Sequence, residues 1–163
     1  TYKWQMVSER SAGLSAGDEV VLYICTPGGA VGSLTILLTA LQATRARIRT
    51  VASVECGSAG PVLWSMGHDK YIMPHTTFMV HGPNKGGRPA AMPMEQTASQ
   101  FQLFNEYIAG VMRETIVNAG LVTMAEYRHI ASSSSDFYLS TPEVIARTGA
   151  EILHDQLGFS REG

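Results

Sequence analysis

Ser58 is the first residue whose type and setting could do chemistry. It lies in the turn Cys56-Gly57-Ser58-Ala59-Gly60, between an apolar segment and a short apolar helix. Backbone N–H groups at a helix N-terminus favour negative charge, which suits a nucleophile. The same position favours serine as a simple helix cap, and the residues alone leave this alternative open. The turn does not match the G-x-S-x-G elbow of α/β-hydrolases, because Cys56 takes the first glycine position.

His81 and Asp136 are the candidate titratable residues. His81 ends an apolar segment and precedes Gly82-Pro83, which predicts a histidine at a strand end facing a loop. Asp136 follows a run of four serines and opens the apolar stretch Phe137-Tyr138-Leu139, which is expected to carry the carboxylate toward the interior. A hydrogen-bonded structural histidine and a loop or capping aspartate are the alternative interpretations.

The turn Pro27-Gly28-Gly29 is a third candidate feature. It follows a buried strand, and two residues without Cβ let the backbone turn sharply and bring its N–H groups close to a ligand. Most turns of this kind have no further role, so the turn by itself is weak evidence for a site.

These residues are placed by repeated βα units. Val20–Ile24 and Arg49–Val54 predict buried parallel strands joined by a helix over 34–43, and Pro61–Met66 predicts the next helix. Further strands are predicted at 71–73 and 78–80, and Gly82–Pro93 is predicted to be a loop or a loosely paired ribbon. Apolar residues then recur every three to four positions over 94–119, which predicts a long amphipathic helix that ends at Gly120 and whose stripe needs a partner. Shorter helices are predicted at 124–130 and 142–148.

Composition excludes several classes of function. The chain has 163 residues and a net charge of −2 without any block of like charge, so nucleic acid and anionic membranes are not expected partners. Cys25 and Cys56 have no metal-ligand spacing and form no disulfide framework, and the histidines have none either, so we expect no metal and no cofactor. No apolar run reaches the roughly 18 residues that span a bilayer, and the start lacks a signal-peptide layout, which predicts a soluble protein.

Four segments in order resemble the successive motifs of the ClpP family of serine peptidases. They are Leu22–Gly29, Gly57–Gly60, Met79–Pro83 and Asp136–Glu143, and the ending Ala146–Leu153 resembles the family's last helix and strand. The resemblance implies an α/β fold of ClpP/crotonase-like repeated βαβ units with a protruding handle helix. It implies one ClpP-like domain over 1–163, with a handle at about 82–120 and a truncated N-terminal part.

Carried over by position, the resemblance makes Ser58 the nucleophile, His81 the general base and Asp136 the carboxylate that orients it. The backbone N–H groups of Gly29 and Ala59 match the positions that bind the oxyanion. The substrate would be an extended polypeptide paired with residues after Gly29 and with a ribbon near Lys85–Arg88.

The resemblance also implies assembly. Two seven-membered rings would form a homo-tetradecamer around a chamber, with an AAA+ unfoldase as a possible partner, in the cytoplasm or in an organelle stroma or matrix. The chain has no G-x-x-x-x-G-K-[ST] motif and is not expected to hydrolyse ATP itself. Three alternatives stay open: a crotonase-fold enzyme that binds acyl-CoA, a serine peptidase with a lysine base, and a non-catalytic ring subunit.

Overall fold

A six-stranded sheet and five helices make up the described part of the chain. The computed structural model describes residues 14–29, 31–82, 95–133 and 135–153. The strands are β1 (Glu19–Thr26), β2 (Arg47–Gly57), β3 (Asp69–Ile72), β4 (Thr77–Val80), β5 (Phe137–Ser140) and β6 (Glu151–Ile152). The helices are α1 (Val31–Ala43), α2 (Ala59–Ser65), α3 (Glu95–Asn118), α4 (Met124–Ser132) and α5 (Thr141–Thr148).

The fold is the α/β arrangement of repeated βαβ units that the sequence predicts. Every predicted helix is present with ends that differ by at most three residues, and the long helix stops before Gly120, whose φ is 76°. One strand, β5, was not predicted. The predicted ribbon at Lys85–Arg88 lies outside the described residues.

The central strand β2 changes its neighbour halfway along its length. β1 runs parallel to it on one edge; on the other edge, Arg49–Ala52 pair with β3 and Glu55–Gly57 pair with β4. Between these two pairings lies Val54, which has a φ of 58° and an exposed side chain. The sheet therefore divides into a β3–β6 branch and a β4–β5 branch, and only the β4–β5 pairing is antiparallel.

Trp64 of α2 ties the two branches together. Its side chain is fully buried, and its ring meets that of Phe78 in an edge-to-face contact with centroids 5.0 Å apart. Its indole N–H donates a hydrogen bond of 2.9 Å to the carbonyl oxygen of Tyr71 in β3. A large apolar surface and a satisfied polar atom thus fix α2 against β3 and β4 at once.

The C-terminal half of α3 packs on the chain's own core. Ile116 is buried, and Val111, Met112 and Val117 pack against the core cluster. For this half, the apolar stripe predicted from the sequence has its partner within the same chain. Tyr107, one helical turn before Val111, is 67% exposed.

Replacing Val54 with glycine is expected to raise the free energy of unfolding by about 1 kcal/mol. A β-branched residue at positive φ is strained, and relief of that strain exceeds the entropy that glycine costs. Urea denaturation followed by circular dichroism at fixed protein concentration measures the change. Val21→Gly is the matched control in a regular stretch of β1 and is expected to lower stability. Equal losses in both variants would contradict the interpretation.

Candidate active site

Ser58 projects from a sharp turn between β2 and α2. Its backbone has φ 56° and ψ −98°, a conformation rare for a residue with a Cβ. The turn is held because the Ser58 N–H donates a hydrogen bond of 2.8 Å to the carbonyl oxygen of Met79 in β4. Ser58 occupies the N-cap position of α2, yet its side chain makes no capping hydrogen bond. The simple capping alternative is therefore wrong.

Two glycines make this turn possible by letting a second turn approach it. A Cβ on Gly57 would lie 2.8 Å from the carbonyl oxygen of Pro27, and one on Gly28 would lie 2.5 Å from the Cβ of Ser58. Gly28 also has φ 123°, and its N–H donates a hydrogen bond of 3.0 Å to the Thr26 hydroxyl oxygen. The Pro27–Gly29 turn is thereby fixed directly against Ser58.

His81 lies within hydrogen-bond distance of Ser58 at the end of β4. Its Nε2 is 2.7 Å from the Ser58 Oγ, and its Nδ1 is 2.6 Å from the carbonyl oxygen of Gly82. A carbonyl oxygen can only accept, so Nδ1 carries the proton and Nε2 is the acceptor for the serine hydroxyl. This tautomer allows the imidazole to take a proton from Ser58. The Gly82 carbonyl is a partner that no sequence pattern indicated.

Asp136 is brought toward His81 by the pairing of β4 with β5. Val80 pairs with Phe137 at the end of this antiparallel ladder, and His81 and Asp136 are the residues next to that pair in the two segments. The Asp136 side chain is exposed in the single chain. The expectation that Phe137–Leu139 carries it toward the interior is wrong: with strand alternation only Leu139 of that stretch is buried.

The segment that carries Asp136 is held at both ends by Arg147 of α5. The Arg147 guanidinium makes two hydrogen bonds of 2.9 Å to Glu126 of α4, and this pairing, with the Thr123 N–H, lowers the pKa of Glu126 to about 2. The same guanidinium lies 5.9 Å from the centroid of the Phe137 ring. Both the helix before Asp136 and the strand after it are thus tied to one side chain.

Gly29 and Ala59 face one small cavity beside Ser58. The cavity has a volume of about 110 Å³ and is lined by Thr26, Gly28, Gly29, Ser33, Leu34, Leu37, Ala59 and Leu63. Ala59 is the first residue of α2, where backbone N–H groups have no partner within the helix. The two positions predicted to bind an oxyanion therefore border the same space.

Neither Cys56, which precedes the Ser58 turn, nor Lys70, which pairs with Thr50 in β2, is placed for alternative chemistry at Ser58. Burial raises the pKa of the Cys56 thiol, which keeps it protonated and inert. Lys70, the one lysine in the described residues, donates a hydrogen bond of 2.7 Å to the carbonyl oxygen of Gly67.

The described residues contain no cluster of His, Cys, Asp and Glu that could hold a metal ion. None of the described helices is long and apolar enough to cross a membrane.

The comparisons with known proteins agree on one family. The family described as Clp protease matches residues 12–145. A Clp protease proteolytic subunit of Paracoccus denitrificans, described as ATP-dependent, is 25% identical over 131 residues, which cover 78% of this chain and 62% of that protein. The ATP-dependent Clp protease proteolytic subunit 2 of Nocardia farcinica (strain IFM 10152) is 33% identical over 93 residues, 54% of this chain and 46% of that protein. The matched segments thus span about half to three fifths of these relatives.

Gly28→Ala is expected to lower the free energy of unfolding by about 2–3 kcal/mol, because the new methyl group would overlap Ser58 and the residue would keep a positive φ. Gly32→Ala is the matched control, since a Cβ there meets nothing within 4 Å and alanine favours the helix. Denaturant unfolding of both variants measures the difference. A Gly28 variant as stable as the Gly32 variant would show that the two turns are not in close contact.

Proposed function

Because the chain belongs to the Clp protease family, we propose that it is a serine endopeptidase subunit that cleaves polypeptides through an acyl-enzyme on Ser58. The observation that supports this most directly is the 2.7 Å distance between the Ser58 Oγ and the His81 Nε2. This contact places the Ser58 hydroxyl next to the His81 imidazole, whose tautomer can accept the hydroxyl proton. Crotonase-type chemistry and a purely structural role have no comparable need for this contact.

In the proposed reaction, the Ser58 Oγ attacks the carbonyl carbon of the scissile peptide while His81 takes the hydroxyl proton on Nε2. The backbone N–H groups of Gly29 and Ala59 would bind the negative oxygen of the tetrahedral intermediate. His81 then gives its proton to the departing amine, which leaves an ester on Ser58. Water, deprotonated by the same imidazole, hydrolyses the ester and restores the enzyme.

Asp136 is proposed to stabilise the imidazolium that forms during each step. The Gly82 carbonyl already fixes the tautomer through Nδ1, but a neutral oxygen stabilises a positive ring less than a carboxylate does. The register of β4 and β5 supports a carboxylate approaching from Asp136. The two acceptors therefore have separable contributions, one to orientation and one to charge.

The small cavity beside Ser58 supports a preference for small apolar side chains. Leu34, Leu37 and Leu63 are among its lining residues, and its volume of about 110 Å³ suits a side chain of modest size. Since Gly29 and Ala59 also border the cavity, we assign it to the residue whose carbonyl is attacked. The neighbouring backbone would be held by pairing with residues after Gly29.

The remaining elements of the proposal concern assembly. We propose two stacked seven-membered rings, a substrate chamber and an AAA+ unfoldase that supplies unfolded chains, in the cytoplasm or an organelle stroma or matrix. The relatives are described as ATP-dependent, whereas this sequence has no P-loop motif, which supports a separate ATPase as partner.

A fluorophosphonate probe is expected to label Ser58 stoichiometrically, because His81 activates its hydroxyl. Intact mass and peptide mapping would identify the site, on protein whose assembly state is checked by native mass spectrometry. Ser58→Ala and His81→Ala are expected to abolish labelling, whereas Ser65→Ala, in the same short helix, should leave it unchanged. An assembled particle that does not react would contradict the proposed activity.

Asp136→Asn is expected to lower kcat/KM for a fluorogenic peptide by about 10³-fold or more, since the imidazolium loses its counter-charge. Asp69→Asn, on the far branch of the sheet, should change it less than twofold. A loss below tenfold for Asp136→Asn would assign the stabilising role to the Gly82 carbonyl instead.

A further inference from the structure

Thr26, at the end of β1, makes two hydrogen bonds with a single residue of the turn that follows. Its hydroxyl oxygen accepts a hydrogen bond of 3.0 Å from the Gly28 N–H and donates one of 3.1 Å to the Gly28 carbonyl oxygen. One hydroxyl can do both at once, because it carries one proton and two lone pairs. The two peptide groups that flank the Gly28 Cα are therefore bonded to the same side chain.

These two bonds restrain a residue that has little restraint of its own. Gly28 has a φ of 123°, and glycine moves between backbone conformations more readily than any other residue. The Gly28 backbone also lies against Ser58, since a Cβ on Gly28 would be 3.0 Å from the Ser58 Oγ. Thr26 thus restrains the backbone that approaches the proposed nucleophile.

The bond to the Gly28 carbonyl oxygen also sets the direction of the Gly29 N–H. Every peptide bond among the described residues is trans, and in a planar trans peptide the C=O group and the next N–H group point in opposite directions. Because the Gly28 carbonyl points toward the Thr26 hydroxyl, the Gly29 N–H points away from it. This N–H donates to no acceptor in the part of the chain that the structure describes. It is therefore available to a bound group, in a direction that Thr26 fixes.

The methyl group of Thr26 holds the hydroxyl in place. A Cβ on Gly60, in the first turn of α2, would lie 3.1 Å from the Thr26 Cγ2, so the methyl group packs closely on that turn. A β-branched side chain has few χ1 rotamers, and rotation about χ1 would move both the methyl group and the hydroxyl from their contacts. Thr26 also pairs with Cys56 of β2, two residues before Ser58. One side chain therefore contacts both turns of the site.

We propose that Thr26 is a positioning residue, whose hydroxyl holds the Gly29 N–H in the direction that stabilises the oxyanion. This inference rests on the proposed peptidase function and adds a residue to its machinery. Thr26 borders the same small cavity as Gly29 and Ala59, but it donates its hydroxyl proton to Gly28 and is not itself a donor to the oxyanion. Loss of the hydroxyl would therefore weaken binding of the transition state more than binding of the substrate.

Thr26→Val tests the inference, because it removes the hydroxyl and keeps the branched shape. For a fluorogenic peptide and assembled protein, kcat is expected to fall about tenfold or more, with KM within about twofold of wild type. A peptide boronic acid becomes tetrahedral and negatively charged when the Ser58 Oγ adds to its boron, and its affinity should fall by a similar factor. Thr26→Ser keeps the hydroxyl and should retain at least about a third of kcat.

Thr39→Val is the matched control, because it removes an exposed hydroxyl of α1 that donates to the carbonyl oxygen of Thr35 one turn earlier. It should leave kcat and the boronic acid affinity unchanged. A loss of kcat below about threefold in Thr26→Val, an equal loss in Thr26→Ser, or a change in KM alone would overturn the inference.

Two further outcomes are kept apart from these. If Thr26→Val does not assemble, Thr26→Ala repeats the test, and failure of both to assemble would assign Thr26 to folding and overturn the inference. Failure of the peptidase proposal is seen separately, as an assembled wild-type protein that neither cleaves the peptide nor reacts with the fluorophosphonate probe. The role of Thr26 would fall with it, whereas an active wild type with an equally active Thr26→Val variant would overturn this inference alone.

Discussion

The register between β2 and β4 is the constraint on which the site depends. Gly57 pairs with Met79, and the next hydrogen bond, from the Ser58 N–H to the Met79 carbonyl, extends that pairing by one step. The Ser58 Oγ and the Nε2 of His81, which lies 23 positions later in the chain, are thereby held 2.7 Å apart. A shift of this register by one residue would point the side chains to opposite faces and separate them. The edge-to-face contact of Trp64 with Phe78 secures the register, because Phe78 pairs with Cys56 in the same ladder.

Backbone strain is concentrated where β2 changes partner and where it ends. Val54 and Ser58 both have positive φ, and they flank the short stretch that pairs with β4. At Ser58 the unusual conformation exposes the hydroxyl beside the base, which is the kind of site where such strain is retained. At Val54 it turns the strand from β3 toward β4, since Ala52 pairs with β3 and Glu55 with β4. Both strained residues, Val54 and Ser58, therefore help to position the short stretch of β2 that pairs with β4.

Local patterns predicted the features that depend on local sequence. Strands, amphipathic helices and glycine turns each have a period or a composition, and their positions agree with the structure within a few residues. The predicted burial of β1 was wrong: of Val20–Ile24 only Ile24 is buried in the described chain, and Tyr23 is 54% exposed. β5 has only four residues, of which Leu139 alone is buried, so no period distinguishes it from a loop. The contact of His81 with the Gly82 carbonyl joins adjacent residues but depends on backbone conformation, and the approach of Gly82 to Ala131 depends on packing between segments; no spacing in the sequence indicates either. The expectation that Asp136 lies toward the interior was wrong because its exposure also depends on how the segments pack together.

The two edges of β2 bring different groups to the two sides of Ser58. The β1 edge brings the Pro27–Gly29 turn against Ser58, because glycines at 28 and 57 remove the atoms that would collide. The β4 edge brings His81, and Gly82, which follows it, packs closely against Ala131 of α4. The Pro27–Gly29 turn thus lies on one side of Ser58 and His81 on the other. In the proposed reaction, the acyl part of a peptide attacked at Ser58 would lie over the small apolar cavity and its amine part on the side of His81.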